Sequence, residues 1–397
     1  MDSFAPINNQ ISIRAKQFCK RFIKYEIFPI ILTPRMLKNS NKDNKLLKGL
    51  INLKIFRTPL LELNNNLFER IKFYIHWIPF AYIWGKKIIK KHQNEIKFIY
   101  ASGPKFSTHI IAYFLKLKFK IPIIIEYRDP WGFNPYNIEN VSKLVKSINL
   151  FLEKKILKTA NIIITISSEL KEFLIRHFKE IHNKKICIIE NGFSLQDKKN
   201  LKNKTNRVIT FTFIGTLYAK RTIIPLFRII SKIRNYELLN LFDFRIRIFG
   251  KYNKNLLQDI VDRLKIKKYI FFGNYLNRKE LINEIKNSTM PLHVGESLNY
   301  PTIAFKVWDY LSCQKKILYL GKKDSYTADF LKNNQFGITI PLNSLDEGTL
   351  IFKNLLKDLY NNRYNTSIEK EKLLKFSWKS KFQKLLTCLN EFISLKK

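Results

Sequence analysis

Short runs that are apolar at nearly every position alternate along this chain with longer stretches whose apolar residues recur every three or four places. The short runs predict strands at Ile27–Thr33, Ile96–Ala101, Ile121–Tyr127, Ile162–Ile166 and Ile186–Glu190. Several are apolar at nearly every position, which suits strands covered on both faces, as in a parallel sheet. The longer stretches, such as Phe106–Lys118 and Ser167–Phe178, read as helices. After Asn191-Gly192-Phe193 comes a polar, lysine-rich segment, and the alternation restarts. Its strands are expected at Val208–Ile214, Phe244–Phe249, Tyr269–Phe272, Met290–Val294, Ile317–Leu320 and Ile338–Ile340. The pattern predicts an α/β protein of two doubly wound, Rossmann-like domains. They are expected at 1–195 and 207–375, with a linker at 196–206 and a closing segment at 376–397. No fixed-period repeat is visible, so a solenoid is not expected.

The start departs from this scheme. A doubly wound domain opens on a strand, then a tight turn, then a helix. Here Phe4-Ala5-Pro6 leads almost directly to the helical pattern around Ile13–Phe22, so the first strand is expected to be missing from the N-terminal domain.

Composition narrows the class. The 397 residues are 46% hydrophobic, too apolar for a disordered chain. The most lipid-like stretch, Phe73–Gly85, is too short to span a bilayer and carries His76 and Pro79. Met1-Asp2-Ser3-Phe4 lacks the basic and apolar regions of an export signal, so a cytoplasmic location is expected, with peripheral attachment to the inner face of the membrane as a weaker expectation. Cys19, Cys187, Cys313 and Cys388 show no metal-ligand spacing and are expected as unpaired, buried side chains. The 72 basic residues against 31 acidic give a net charge of +41. They are mostly lysines scattered along the whole chain among abundant Asn, Ile and Phe, a mixture that A/T-rich codons produce. A polyanion partner (phosphates, acidic glycans or an anionic membrane surface) accounts for what remains. The segment Tyr74–Lys91, with Trp77, Phe80, Tyr82 and Trp84 beside four lysines, is the candidate interface with anionic lipid.

Four clusters carry chemistry. Ala101-Ser102-Gly103-Pro104, followed by Phe106-Ser107-Thr108-His109, sits where a strand gives way to a helix, the ligand edge of such a sheet. Glu126-Tyr127-Arg128-Asp129-Pro130-Trp131 also follows a buried strand. Fixed charges there suit a crevice, Trp131 offers a flat face to a sugar ring, and Pro130 stiffens the turn that holds Asp129. In Ile214-Gly215-Thr216-Leu217-Tyr218, a strand ends on glycine, which lets backbone approach a ligand, and Arg221 adds a charge-assisted donor. Lys306 and Asp309, three apart on a helical stretch after the Leu298–Pro301 loop, share one face; the lysine can reach a diphosphate and the aspartate can accept from ribose hydroxyls. Absence also narrows the choice: there is no P-loop, no intact G-x-G-x-x-G and no Asp-x-Asp. His76, His92, His177, His182 and His293 show no partner spacing and read as packing or solvent residues.

In their order and spacing these clusters resemble the family 4 glycosyltransferases of GT-B fold. The resemblance takes in Phe4-Ala5-Pro6 with Arg14, the Ser102…His109 segment, Tyr127-Arg128-Asp129-Pro130-Trp131 and Ala160–Ser167. It continues through Glu190-Asn191-Gly192-Phe193, Gly215–Tyr218, Lys306…Asp309-Tyr310-Leu311 and Phe376-Ser377-Trp378. It implies two domains facing a cleft, with the segment after Trp378 crossing back to the first. It also implies transfer of a sugar from a nucleotide-diphosphate sugar to a glycan or lipid-linked acceptor, with retention, without metal or other cofactor, in surface polysaccharide or lipopolysaccharide synthesis. Gly215, Thr216, Arg221 and Lys306 would hold the diphosphate, Asp309 the ribose, and Asn274 and Tyr275 the base. Asp129, with Arg128 and His109, would be catalytic, and Arg14, Ser102, Ser107 and Trp131 would face the acceptor. Departures are visible too: Pro301 stands where the first of two paired glutamates belongs, Asp309 in place of the second, and Asn8-Asn9-Gln10 replaces a glycine-rich loop. The alternatives are a nucleotide-sugar 2-epimerase of the same fold and, less expected, a basic nucleic-acid-binding protein.

Overall fold

In a computed structural model of the chain, residues 1, 3–37, 42–50, 53–61, 76–134, 143–196, 208–218, 221–234, 243–295 and 300–392 are described. Residues 197–206 of the expected linker, Glu296, Leu298 and the first two residues of Tyr74–Lys91 lie outside them. The chain divides into two compact units, Met1–Gly192 with Trp378–Lys397, and Phe193–Ser377.

The first unit contains α1 (Gln10–Ile23), β1 (Ile30–Pro34), β2 (Lys54–Thr58), α2 (Ile78–Lys91), β3 (Ile99–Ser102), α3 (Ser107–Phe119), β4 (Ile123–Tyr127), α4 (Lys143–Thr159), β5 (Ile162–Thr165), α5 (Ser168–His177) and β6 (Lys185–Ile188). Strands β3-β4-β5-β6 form a parallel sheet in sequence order. Every residue of β4 and β5 is buried, which is why they read as apolar runs interrupted only by Glu126 and Thr165. Alternate side chains serve opposite faces: Ile123, Ile125 and Ile163 pack under α3, α4 and α5, while Ile124, Ile162 and Ile164 pack against Phe18 and Phe22 of α1. The strand β2 has no counterpart among the expected ones, because Lys54-Ile55-Phe56-Arg57-Thr58 has only two apolar residues between polar and charged ones. It pairs in parallel with β1 in a separate two-stranded sheet.

The second unit contains β7 (Ile209–Thr216), α6 (Ile224–Arg234), β8 (Phe244–Lys251), α7 (Lys254–Arg263), β9 (Ile270–Phe272), α8 (Arg278–Asn287), β10 (Met290–Val294), α9 (Phe305–Ser312), β11 (Ile317–Gly321), α10 (Tyr326–Asn333), β12 (Gly337–Pro341), α11 (Leu345–Tyr360) and α12 (Lys370–Leu374). Its parallel sheet has the order β12-β11-β10-β7-β8-β9. The chain moves outward from β7 in one direction and then, from β10, in the other. The switch point between β7 and β10 opens a crevice at the strands' carboxyl ends, the ligand position of such sheets. Phe193 belongs to this unit because it packs against Trp308 in its core, and the Gln196 N–H donates to the Ser312 carbonyl at 2.9 Å.

The last helix, α13 (Trp378–Cys388), lies in the first unit. Trp378 meets Phe18 edge-on at 5.9 Å and Phe382 meets Phe22 at 4.9 Å. This packing corrects one expectation about the cysteines. Cys187 on β6 and Cys388 at the end of α13 are joined by a disulfide across 201 residues, whereas Cys19 and Cys313 are free and buried. Their pairing follows from packing of the last helix on the sheet, which sequence spacing does not encode. Among the described residues, no helix is long and apolar enough to cross a membrane.

Candidate functional site

At the switch point of the second unit, β7 ends on Gly215 and Thr216, beside Gly250 and Lys251 of β8. Both glycines have positive φ, +151° and +119°. A side chain at Gly250 would strike the Gly215 carbonyl, and one at Gly215 would strike the Lys306 ammonium. The two glycines thereby clear a backbone floor onto which Lys306, from the first turn of α9, extends; its Nζ lies 4.6 Å from the centroid of the Phe213 ring. The N-cap residue of α9, Ala304, makes no side-chain cap hydrogen bond. Arg221 and Tyr218 exchange backbone hydrogen bonds of 2.7 and 3.1 Å, and the Arg221 guanidinium stands 5.3 Å over the Tyr218 ring.

His293, buried on β10, completes this group. Its ring stacks on Tyr319 at 5.4 Å, and Nδ1 has no hydrogen-bond partner among the described residues. Burial, then the positive charges of Lys306 and Arg221, hold its pKa well below the ordinary histidine value. It is a neutral imidazole within the electrostatic reach of two cations. Tyr310, whose hydroxyl donates to the Leu292 carbonyl at 3.2 Å, is likewise kept protonated, first by burial. The structure thus brings Gly215, Arg221 and Lys306 together and adds His293, which lacked any partner spacing. Its signal was a lone imidazole near the carboxyl end of an otherwise apolar strand.

Asp309 sits one turn further along α9, nearly buried. Both its oxygens accept from Arg278, Nη2 to Oδ1 at 2.6 Å and Nη1 to Oδ2 at 2.7 Å. Arg278 opens α8, fixed there by the Asn277–Glu280 capping box. Spacing could not reveal this fork, because its partners are 31 residues apart in sequence. Asn274 and Tyr275 are exposed in the segment between β9 and α8, and Thr216 is exposed at the end of β7.

In the first unit, the carboxyl end of β4 carries a buried polar hub. Glu126 Oε1 accepts from Arg14 Nε at 2.9 Å, Arg14 Nη2 at 2.7 Å and Tyr100 at 2.8 Å, and Oε2 accepts from Ser102. Burial opposes the Glu126 charge, but Arg14 and Arg128 outweigh it and hold the carboxyl below its ordinary pKa. The remaining Arg14 donors reach the Ile189 and Glu190 carbonyls and Asn191 Oδ1. All five guanidinium N–H groups are therefore committed inside the unit, and Arg14 serves the hub rather than a solvent-facing acceptor site. Ser102 is committed in the same way.

His109 is completely buried, its Nε2 on the Glu126 carbonyl at 3.1 Å and its ring against Phe106 and Tyr127. Burial drives its pKa down to about 3, which leaves it neutral and enclosed, so a solvent-reached acid–base role does not fit its position. Ser107 is also buried, in the first turn of α3. Trp131 does not display a face: its ring is stacked on Phe106 at 4.9 Å and 6° within the core. Next to it, the Gly132 N–H donates to buried Glu153 of α4 at 2.8 Å, and burial lifts the Glu153 carboxyl to about 8. Arg128 Nε donates to the Gly103 carbonyl, tying the two loops together, while Asp129 is half-buried between these anchors. No group of three His, Cys, Asp or Glu side chains suited to a metal ion occurs among the described residues.

Residues 64–197 match the sequence pattern of Glycosyltransferase Family 4. No curated protein matches the chain in sequence. Among solved structures it is similar to sucrose-phosphate synthase from Thermosynechococcus elongatus, with TM-score 0.69, 13% identity, and coverage of 96% of this chain and 93% of that one. It is also similar to the lipopolysaccharide outer core galactosyltransferase WaaB in apo form, with TM-score 0.67, 12% identity, and coverage of 99% and 98%. Anabaena Alr3699/HepE, solved in complex with UDP, matches with TM-score 0.67, 12% identity, and coverage of 98% of each chain. The chain therefore has the GT-B glycosyltransferase fold, and its residues 64–197 are of Glycosyltransferase Family 4 type.

Proposed function

We propose that this protein transfers a sugar from a nucleotide-diphosphate sugar to a glycan or lipid-linked acceptor in surface polysaccharide or lipopolysaccharide synthesis, with retention and without a metal. The observation that carries this reading is Lys306, extended onto a glycine-cleared strand end at the sheet's switch point, with Arg221 acting beside it on His293. The UDP in HepE and the galactosyl transfer named for WaaB support the donor class and the polysaccharide setting.

The chemistry suits these residues. As the sugar–phosphate bond breaks, positive charge develops on the ring and negative charge on the departing diphosphate. Fixed cations aimed at that diphosphate stabilise the transition state without reorganising, and loss of one such donor costs about 3–4 kcal/mol. A neutral His293 within their electrostatic reach accepts or donates a hydrogen bond without opposing the charge they supply. Asp309, held in orientation by Arg278, would meet the ribose, and the segment carrying Asn274 and Tyr275 would meet the base. On the first unit, Asp129, half-buried in the loop that Arg128 anchors, would face the acceptor.

A thermal-shift panel of UDP-, GDP- and ADP-sugars tests the reading, since a ligand bound by the native state alone raises Tm. One nucleotide class should raise Tm, and Arg221→Ala or Lys306→Ala should abolish the rise. Two variants that respond like wild type would move the donor site elsewhere. A steeply salt-dependent DNA shift with no response to any nucleotide sugar would favour nucleic-acid binding instead.

A further inference from the structure

The two-stranded sheet of the first unit has one face that changes character along its length. Strands β1 and β2 pair in parallel, with Ile31 beside Ile55 and Thr33 beside Arg57. Residues two apart on a strand share a face, so these four side chains project to the same side. Ile31 and Ile55 pack there into a cluster with Phe4, Ala5, Ala15 and Cys19. Two positions on, towards the carboxyl ends of both strands, the same face presents a hydroxyl and a guanidinium. Arg57 Nη2 donates to the Ala5 carbonyl, which ties the guanidinium to the buried Phe4-Ala5 segment.

Both of these side chains keep an open donor. Thr33 is fully buried, and its Oγ1 has no hydrogen-bond partner among the described residues. The buried Nη1 of Arg57 has none either. Burial alone acts on the Arg57 guanidinium and lowers its pKa, with no opposing carboxylate among the described residues. A buried polar group without a partner costs the whole loss of its hydration, and native folds rarely keep two such groups side by side. A guanidinium drawn out of water without a carboxylate calls for negative charge. A water would satisfy the two donors and leave that charge uncompensated. A guanidinium N–H beside a hydroxyl is a donor pair suited to the oxygens of a phosphate or carboxylate.

We propose that Thr33 and Arg57 form a binding site for an oxyanion, the phosphate or carboxylate group of a ligand, with the Thr33 hydroxyl and Arg57 Nη1 as its donors. The bond from Arg57 to the Ala5 carbonyl fixes the guanidinium before the ligand arrives, so little order is lost on binding. The site lies wholly within the first unit, and the inference does not depend on the donor site at Arg221 and Lys306.

The test is thermal shift of the full chain with inorganic phosphate, glycerol 3-phosphate or acetate, each against chloride at equal ionic strength. A net charge of +41 draws anions to the whole surface, so the variants decide the matter. Wild type should gain Tm with at least one of the three probes. Arg57→Gln and Thr33→Val should each raise the apparent Kd for that probe about tenfold or more, the loss of one charge-assisted contact. Thr33→Val should also leave Tm in chloride unchanged or higher, because it keeps the shape and removes a hydroxyl that has no partner. The Arg57-dependent gain should persist in Lys306→Ala, which separates this site from the donor site. A greater gain with glycerol 3-phosphate than with inorganic phosphate assigns the site to a phosphate ester, the reverse to free phosphate, and a preference for acetate to a carboxylate. No gain in wild type, a gain unchanged in both variants, or a gain abolished by Lys306→Ala alone would overturn the proposal. So would a lower Tm of Thr33→Val in chloride, since the hydroxyl would then serve the fold.

Discussion

Gly215 and Lys306 share one space: a Cβ on the glycine would collide with the lysine's ammonium, which rests over the Phe213 ring 4.6 Å from its centroid. The strand end and the α9 cation are fitted to each other across 91 residues of sequence.

Gly215→Ala should therefore displace Lys306 without unfolding the sheet, since the methyl meets the mobile end of a side chain. The positive φ at this position adds backbone strain. We expect nucleotide affinity to fall about tenfold or more, roughly the loss of one charge-assisted contact. Titration calorimetry with the nucleotide that raises Tm reads this directly. Unchanged affinity would separate Lys306 from the diphosphate.

Asp309→Ala and Arg278→Ala should differ in degree. If Asp309 meets the ribose, its loss weakens donor binding strongly, while loss of Arg278 only frees the carboxylate to rotate. We expect KM for the donor to rise more for Asp309→Ala than for Arg278→Ala, with kcat little altered by the latter. Arg278 is substantially exposed, so its pair with Asp309 contributes about 1 kcal/mol or less to stability. Equal effects of the two substitutions would place Arg278 itself on the donor.

Removing Arg14 leaves Glu126 charged, buried and missing two hydrogen bonds. Arg14→Leu should destabilise the protein by roughly 3–5 kcal/mol, the cost of breaking a buried ion pair from one side. Chemical denaturation measures it. Replacing both members together, Arg14→Leu with Glu126→Gln, should recover part of the loss.

Glu153 makes stability depend on pH. Its carboxyl is lifted from 4.5 to about 8 in the fold, first by burial, so the native state holds a proton that the unfolded chain releases. The stabilising contribution of that proton is complete below pH 4.5 and fades as pH rises towards 8, at about 1.4 kcal/mol per pH unit. Glu153→Gln keeps an acceptor for the Gly132 N–H without needing the proton. It should be more stable than wild type at pH 8 and close to it at pH 5. Denaturation midpoints at the two values check the sign, and a constant difference would refute it.

Much of the fold was legible because a doubly covered parallel strand is apolar at nearly every position. Ile123–Tyr127, Ile162–Thr165 and Met290–Val294 announced themselves in that way. Gly215 was legible through its place after such a strand, and Lys306 through its short distance from Asp309. Trp131 misled, because an aromatic beside charges reads the same whether its ring faces solvent or stacks on Phe106. Arg14 misled for a related reason: a guanidinium can serve a ligand or a buried carboxylate, and only position says which.

By itself, the sequence determined the alternation of strands and helices, the break near Gly192, and the ends of strands where chemistry gathers, because these follow from local periodicity and from the conformational limits of glycine and proline. Tertiary structure alone decided that His293 lies within reach of Arg221 and Lys306, that Arg278 grips Asp309, that Cys187 meets Cys388, and that Thr33 stands beside Arg57. Each of these depends on which side chains the packed sheets and helices bring together across tens or hundreds of residues, and periodicity along the chain carries no record of those distances.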